Sequence, residues 1–321
     1  MALKVAIQMD PLEGVNIDGD TTFALAEAAQ ARGHKLWVYS PSALVYENGS
    51  VSALARPATV QRVKGDHARF DPALVLDLAE DVDVILMRQD PPFDTAYITA
   101  AHLLELVADK TLVVNDPFWV RSSPEKISPL LFPDLMPPTM VTRDLAALRA
   151  FRAKHGDVVL KPIYGNAGAA VFRVKADDAN FGPLIEMFFA ASREPIMIQA
   201  FVPEVVDGDK RIILVDGEFA GLINRIPAKG DHRSNLAVGG KAAATELSAQ
   251  DKIICDRLKP FLKERGLLFV GIDVINGRLT EINVTSPTGA RSILALSGVD
   301  VAQMAWESIE AKFAARRAAS R

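Results

Sequence analysis

The chain of 321 residues contains a single cysteine, Cys255. One thiol excludes an intramolecular disulfide and a zinc site made of several cysteines. It also makes a reducing, cytoplasmic location the default expectation, with the thiol buried in a predicted helix.

Long hydrophobic runs are lacking as well. No stretch approaches the roughly 20 apolar residues that a membrane-spanning helix requires, so no membrane partner is expected. The apolar part of residues 1–10 is short and lacks a cleavage pattern, which predicts a first strand rather than a signal peptide.

Neither sign of charge is in large excess. The 36 Lys and Arg against 40 Asp and Glu give a formal net charge of −4, so nothing favours binding to nucleic acid. The five histidines show no metal-binding spacing, and the motifs H-E-x-x-H, G-x-S-x-G and G-x-x-x-x-G-K-[ST] are absent. The usual zinc-protease, serine-hydrolase and P-loop patterns are therefore excluded.

The first part of the chain, to about residue 122, alternates short apolar strands with helical segments. This order predicts a small open parallel sheet. Ligands bind beyond the carboxyl ends of such strands, where Asp10 and the segment 88–94 are expected. A proline-rich zone over 116–138 marks a boundary, and the rest predicts an α+β region with mostly antiparallel strands.

A hairpin is predicted around Asn276-Gly277, which lies between two apolar, β-branched strands. Asp273 interrupts the first strand, and Glu281 and Asn283 interrupt the second. Because side chains alternate across a strand, four aliphatic residues can face a core. They are Ile272, Val274, Ile282 and Val284.

The turn decides whether the polar groups meet. A two-residue turn would pair Ile275 with Arg278 and place the two carboxylates on opposite faces. A three-residue loop, with Gly277 as a left-handed bulge, would pair Val274 with Arg278 and gather all three polar groups on one face. We predict the second register, because it also keeps the aliphatic residues together.

Two carboxylates and an amide oxygen at this density suit a hard divalent cation such as Mg²⁺. The alternative is the polar, solvated face of an amphipathic hairpin, and alternation alone does not decide between the two. The segment 285–289, Thr-Ser-Pro-Thr-Gly, adds a hydroxyl-rich turn that offers hydrogen bonds to an anion. That turn favours the metal site.

Lys161 ends a predicted strand just before the small-residue loop 165–170. A lysine there supplies charge for phosphate oxygens, and the loop lets backbone N–H groups approach them. By itself such a loop is more often only a turn. Arg211, Arg225 and Arg233 could bind carboxylates, although the first two are equally compatible with a solvated strand face.

Several long motifs resemble those of the bacterial glutathione synthetases, and the resemblance covers essentially the whole chain. The motifs occupy residues 16–23, 88–94, 210–218, 225–240 and 280–289.

This resemblance implies a mixed α/β and α+β architecture, the ATP-grasp fold. A parallel-sheet, pre-ATP-grasp domain would occupy residues 1–122. Two α+β subdomains, 123–202 and 203–321, would hold ATP between them, and the second would carry the metal site and a flexible loop over 227–241.

The resemblance also implies roles for individual residues. For ATP they are Lys126, Lys161, Gly165, Asn166, Gly168, Gln199, Ala200, Phe201, Val202, Glu204 and Asp209. For the metal, Mg²⁺ or Mn²⁺, they are Asp273, Glu281 and Asn283. For the peptide and the acyl phosphate they are Arg211, Asn224, Arg225, Arg233, Ser286, Pro287, Thr288 and Gly289, with Arg211 and Arg225 catalytic.

The implied reaction is the ATP-dependent ligation of γ-glutamylcysteine with glycine. The cysteinyl carboxylate would attack the γ-phosphate to give an acyl phosphate, and the glycine amine would displace phosphate, leaving glutathione and ADP. A homo-oligomer, dimer or tetramer, is implied too. The alternatives are an ATP-grasp carboxylate–amine ligase with another acceptor and a non-catalytic nucleotide- or peptide-binding relative.

The chain departs from the family pattern at three positions. Glycines are expected where Ala167 and Ala170 stand, and an alanine fits poorly where φ must be positive. After Gly289 an Arg-Glu pair is expected, whereas Arg291-Ser292 keeps the arginine and loses the acid. These changes could lower activity or alter acceptor choice without disturbing the fold.

Overall fold

The computed structural model describes residues 2–165, 168–230, 233–236 and 239–319. Within them the chain forms an eight-stranded, a four-stranded and a five-stranded sheet. None of the helices described there combines the length and the apolar character of a membrane-spanning segment.

The N-terminal sheet contains the predicted parallel strands. Its parallel part has the order β2-β1-β7-β8 and consists of β1 (Lys4–Gln8), β2 (Lys35–Tyr39), β7 (Val84–Met87) and β8 (Leu112–Val114). An antiparallel extension joins at β2 and consists of β3 (Leu44–Glu47), β4 (Ser50–Val60), β5 (Ala68–Phe70) and β6 (Leu74–Asp77). The helices of this region are α1 (Thr21–Ala31), α2 (Thr95–Glu105) and α3 (Pro117–Ser122).

The central sheet is antiparallel, with the order β11-β10-β12-β9. Its strands are β9 (Thr139–Thr142), β10 (Val158–Pro162), β11 (Phe172–Val174) and β12 (Ile196–Ala200). Helices α4 (Leu145–His155) and α5 (Phe181–Ala191) share a small core with it, in which Leu148, Leu160 and Ile185 are fully buried. The opposite face is left free to border a cavity.

The C-terminal sheet is antiparallel too, with the order β15-β14-β13-β16-β17. Its strands are β13 (Asp209–Val215), β14 (Glu218–Ile226), β15 (Lys241–Ala243), β16 (Phe269–Ile275) and β17 (Arg278–Asn283). The helices are α6 (Ala249–Glu264), which begins with a capping box at Ser248, α7 (Ala290–Ser297) and α8 (Val301–Ala319).

Residues of the N-terminal region and of the C-terminal sheet pack together in two apolar cores. Trp306 on α8 is fully buried beside α1 and donates its indole N–H to the Leu25 carbonyl at 2.8 Å. Asn115, which follows β8, donates to the carbonyls of Phe269 at 2.9 Å and Val284 at 2.8 Å. These contacts fix the carboxyl ends of the parallel strands against the sheet that carries the predicted metal ligands.

The register of the β16–β17 hairpin differs from the predicted one. The predicted gathering of three polar residues on one face is nevertheless observed. Asn276 and Gly277 both have positive φ, 46° and 68°, and form a two-residue turn that pairs Ile275 with Arg278. The predicted three-residue loop, with Val274 opposite Arg278, is therefore wrong.

A bulge at Thr280 provides the register shift instead. Val274 pairs with Leu279, whereas Asp273 pairs with Glu281, so one extra residue lies on β17 between them. The Thr280 hydroxyl donates to the Asp273 carbonyl at 3.1 Å. Asp273, Glu281 and Asn283 share one face as predicted, and the four aliphatic residues predicted for the core are buried.

Candidate active site

A cavity of about 430 Å³ lies between the central and C-terminal sheets, closed on one side by N-terminal loops. Most of the residues that the sequence singled out line it. They are Lys126, Lys161, Gly168, Gln199, Ala200, Phe201, Val202, Asp209, Arg211, Arg225, Arg233, Asp273, Glu281, Asn283, Ser286, Pro287, Thr288 and Gly289.

The remaining predicted site residues stand elsewhere in the part of the chain that is described. Glu204 is exposed on a short 3-10 turn, and Asn224 donates its amide N–H to the Asp207 carbonyl at 2.7 Å, which supports that turn. Gly165 borders an adjoining recess. Asn166 lies outside the described residues.

A row of paired charges crosses three strands of the C-terminal sheet. Asp209 lies opposite Arg225, and Arg211 lies opposite Asp273, because β13 pairs with both β14 and β16. The Asp273 carboxylate accepts from Arg211 Nε at 2.6 Å and Nη2 at 3.1 Å. Arg225 Nη2 lies 3.0 Å from Asp273 Oδ2 and 2.5 Å from Asp209 Oδ2.

Burial and pairing act in opposite directions on these groups. Burial alone would raise the pKa of Asp273, but the guanidinium groups of Arg211 and Arg225 outweigh it and hold that pKa far below its usual range. For Asp209 burial dominates over the charge of Arg225 and raises the pKa to about 6. The network therefore fixes Asp273 as an anion.

The three predicted metal ligands differ in how they are engaged. Asn283 donates Nδ2–H to the Gly271 carbonyl at 3.1 Å, and among described residues its Oδ1 accepts no hydrogen bond. Glu281 forms an ion pair with Lys126, with Oε1 and Nζ 3.8 Å apart. Both oxygens of Asp273 are bound by arginines.

Oxygen donors of this kind fit a hard divalent cation. Among the described residues there is no group of three His, Cys, Asp or Glu that could hold a metal by itself. Glu281 and Asn283, with Asp273 beside them, would thus give an open site that phosphate oxygens and water complete, as is usual for Mg²⁺.

The opposite side of the cavity presents cations with few partners. Lys161 donates Nζ–H to Gln199 Oε1 at 3.1 Å, and Gln199 donates in turn to Thr139 Oγ1 at 2.8 Å. Burial lowers the pKa of Lys161, and the described residues offer it no ion pair. Lys126 donates to the Gly165 carbonyl. A desolvated ammonium group such as that of Lys161, with no ion pair in the described part of the chain, is suited to bind an anion.

N-terminal residues hold the 285–289 turn in place. Arg88 donates Nη2–H to the Pro287 carbonyl at 3.0 Å, and the Thr21 hydroxyl accepts from the Gly289 N–H at 3.2 Å. Gly289 has φ +126°, and a Cβ there would lie 3.4 Å from Arg211 Cγ. A glycine is needed at this position, because the backbone is in a region that other residues rarely adopt.

Two carboxylates of the cavity were not named individually among the predicted site residues. Glu125 accepts from the Thr285 hydroxyl at 2.6 Å, and burial raises its pKa. Asp90 is exposed at the rim, yet the partial burial of its carboxylate raises its pKa as well. The position of segment 88–94 beyond a parallel strand signalled Asp90, whereas no sequence pattern marked Glu125.

The departures from the family pattern have different consequences. Ala170 has φ +54°, so the alanine occupies a left-handed conformation that glycine adopts without strain. Ala167 lies outside the described residues. Arg291, which lacks an acid at residue 292, pairs with Glu27 on α1.

Comparisons with known proteins cover both halves of the chain. The family model "Prokaryotic glutathione synthetase, N-terminal domain" matches residues 3–121, and "Prokaryotic glutathione synthetase, ATP-grasp domain" matches residues 125–298. Glutathione synthetase of Rhodopseudomonas palustris is 55% identical over 97% of this chain and 99% of its own. That of Bradyrhizobium diazoefficiens is 55% identical over the same shares.

Solved structures agree on the fold at much lower identity. The D-cycloserine synthetase DcsG has a TM-score of 0.68 at 17% identity, over 96% of this chain and 99% of that one. The ATP-grasp ligase PsnB has a TM-score of 0.63 at 18% identity, over 97% and 99%. With the predicted architecture confirmed, this chain has the ATP-grasp fold and belongs to the prokaryotic glutathione synthetase family.

Proposed function

We propose that this chain is a glutathione synthase, an ATP-dependent ligase that joins γ-glutamylcysteine to glycine through an acyl phosphate. Family membership supports the ligase activity, the use of ATP and the need for a divalent metal. One observation carries the proposal at the level of the site. A preassembled Arg–Asp row lines the same cavity as the buried Lys161, which donates to Gln199 and has no ion pair among the described residues.

Lys126 and Lys161 would bind the phosphates of ATP, since both ammonium groups line the cavity. In the part of the chain that is described, Lys126 has one carboxylate partner, Glu281 at 3.8 Å, and Lys161 has none. The segment 199–202 borders the same cavity at the end of β12 and would hold the adenine and ribose. Binding the triphosphate would supply the negative charge that this side of the cavity lacks.

Mg²⁺, with Mn²⁺ as a substitute, is the ion that we assign to Glu281, Asn283 and Asp273. When bound it would neutralise charge on the transferring phosphoryl group. The oxygen-only donor set and its open character support the choice of Mg²⁺ over softer metals.

Arg211 and Arg225 would hold the donor carboxylate and the charge that develops during phosphoryl transfer. Their guanidinium groups are already fixed by Asp209 and Asp273, so little reorganisation accompanies the reaction. The donor oxygen forms its bond to the γ-phosphorus while the bond from that phosphorus to ADP breaks.

The acceptor amine then attacks the carbonyl carbon of the acyl phosphate, and phosphate leaves with the donor oxygen. Glycine enters as an ammonium ion and must lose a proton before or during the attack. Asp90 and Glu125 line the cavity with raised pKa values and could accept this proton.

Two loops meet over the cavity and would keep water from the acyl phosphate. Gly168 belongs to the small-residue loop 165–170, here called the phosphate loop, and a Cβ on it would lie 2.7 Å from Asn235 Oδ1 of the 227–241 segment. Ser234 in the latter is buried and donates to Asp209 Oδ2 at 2.7 Å. The flexibility predicted for residues 227–241 stays a prediction.

We place the activity in the cytoplasm, because the single, buried Cys255 suits a reducing compartment. A homodimer or homotetramer is proposed on the family resemblance alone.

Steady-state ADP release tests the proposal. We expect turnover with ATP and Mg²⁺ only when γ-glutamylcysteine and glycine are both present, and its loss in Glu281→Ala. Turnover with another acceptor would assign the chain to a different carboxylate–amine ligase. ATP binding without turnover for any pair would make it a non-catalytic relative.

A further inference from the structure

Two aromatic rings stack between the N-terminal region and the phosphate loop. Phe93 lies in the segment between β7 and α2, and Tyr164 lies between β10 and the phosphate loop. Their ring centroids are 6.0 Å apart and the rings are nearly parallel, at 17°. Tyr164 is 39% exposed, so its ring is not needed to complete a core.

Each ring is anchored on its own side. Phe93 also contacts Tyr97, a buried residue of α2, with centroids 5.3 Å apart. Tyr164 precedes Gly165, whose carbonyl accepts a hydrogen bond from Lys126. A Cβ on Gly165 would lie 2.6 Å from Pro162 Cγ, so the chain after β10 is tightly placed. The stack therefore joins two held segments.

The stacked pair adjoins the reaction cavity, and residues near each ring in the sequence line that cavity. On one side, Asp90 and Pro91 line the cavity just before Phe93. On the other, Lys161 and Gly168 line it on either side of Tyr164 in the sequence. The pair also borders a small recess that shares Glu125 and Thr285 with the cavity.

We propose that Tyr164 is a positioning residue whose stack on Phe93 couples the binding of the donor peptide to that of the nucleotide. A donor that orders segment 88–94 also fixes the ring of Phe93, and through the stack it fixes the start of the phosphate loop. This inference rests on the proposed function for the identity of the two ligands. Coupling of this kind is reciprocal, so ATP must tighten donor binding by the same factor.

The strength of the aromatic stack determines how much the two ligands should strengthen each other's binding. An offset aromatic pair contributes a factor of about two to ten beyond the area that it buries. We expect γ-glutamylcysteine to strengthen the binding of a non-hydrolysable ATP analogue, and Tyr164→Leu to reduce that enhancement by about two- to tenfold. The KM values of both substrates should rise by a similar factor, while kcat at saturation stays within about twofold.

Four variants make the test specific. Tyr164→Phe keeps a ring and should retain the enhancement, whereas Phe93→Leu should lose it. The double variant, Phe93→Leu with Tyr164→Leu, should lose no more of the enhancement than the single variants do, because the stack can be lost only once. Tyr46→Leu is the matched control, since Tyr46 is a 55% exposed tyrosine on β3. This control should leave the binding enhancement and both KM values unchanged.

Hydrogen exchange on the free protein separates this inference from the proposed function. Tyr164→Leu should speed exchange at 93–94 and at 163–165 together, with no substrate present, and Tyr164→Phe should not. Unchanged exchange at either segment would overturn the positioning role, whatever the substrates are. A wild-type protein that turns over both substrates but shows no mutual enhancement would also overturn it.

Discussion

The two sides of the cavity differ in how their charged side chains are paired. The arginine wall, made of Asp209, Arg211, Arg225 and Asp273, pairs every one of its charges with a neighbour on an adjacent strand. The lysine wall, made of Lys126, Lys161 and Gln199, holds its two cations with neutral oxygens and with Glu281 at 3.8 Å.

Both walls are assigned ligands, but this difference predicts that only the arginine wall also stabilises the fold. Removing one member of a buried ion pair leaves its partner's charge uncompensated, which is costly even where, as at Asp209, pairing does not fully offset the desolvation cost. A buried cation with only an amide partner retains that cost until an anion arrives. Substitutions in the arginine wall should therefore lower stability, whereas those in the lysine wall should lower activity with little loss of stability.

The largest expected effect on stability is in the arginine wall. Asp273→Asn would leave Arg211 and Arg225 without their shared partner, and we expect the free energy of unfolding to fall by about 3–5 kcal/mol in urea denaturation. Glu218→Gln, which breaks the exposed pairs with Lys259 and Lys263, is the control and should cost about 1 kcal/mol or less. Equal losses in both variants would refute the distinction.

The complementary experiment is in the lysine wall. Lys161→Met should reduce kcat/KM by about 10²–10³-fold, because one preorganised cation is lost from the phosphoryl transfer. Its free energy of unfolding should stay level or rise, since a desolvated charge is removed. Lys259→Met, at an exposed lysine, should leave both quantities unchanged. A Lys161 variant that is strongly destabilised would contradict the account.

A pH series sharpens the contrast within the arginine wall. Because burial raises the pKa of Asp209 from 3.8 to about 6, its contribution to stability is present below the unfolded value and is lost as pH rises through about 6. The stability of Asp209→Asn relative to wild type should thus increase over that range. Asp273 has a lowered pKa, so its contribution has the opposite sign and is lost on acidification. A relative stability of Asp209→Asn that does not change with pH would contradict this assignment.

The smallest expected effect lies beside the lysine wall. Ala170→Gly should relieve the strain of a positive φ and raise the free energy of unfolding by about 0.5–1 kcal/mol, net of the added freedom of the unfolded chain. Ala169→Gly is the control at a neighbouring residue without a positive φ, and it should lower the free energy of unfolding. Thermal unfolding of the two variants should then shift in opposite directions.

Local patterns in the sequence were sufficient for much of this site. The parallel N-terminal strands and the hairpin at Asn276-Gly277 follow from hydrophobic alternation and turn chemistry. The shared face of the three polar residues was predicted from a three-residue loop that is wrong, and a bulge in β17 produces it instead. The bulge at Thr280 was not predictable, because its position depends on a hydroxyl contact to the opposite strand.

Long-range pairing accounts for what the sequence alone left open. Arg211 meets Asp273 across 62 residues of sequence, and only the order of the strands decides that they become partners. Glu125 enters the cavity because the chain after α3 crosses to Thr285, which no local pattern indicates.

Transfer of oxygen tests the central claim, that a donor carboxylate is phosphorylated between the two walls. With ¹⁸O in the cysteinyl carboxylate of γ-glutamylcysteine, each turnover with ATP and glycine should release phosphate that carries one ¹⁸O atom. Phosphate without the label, formed at the same rate as glutathione, would contradict the acyl phosphate route and the roles given to both walls.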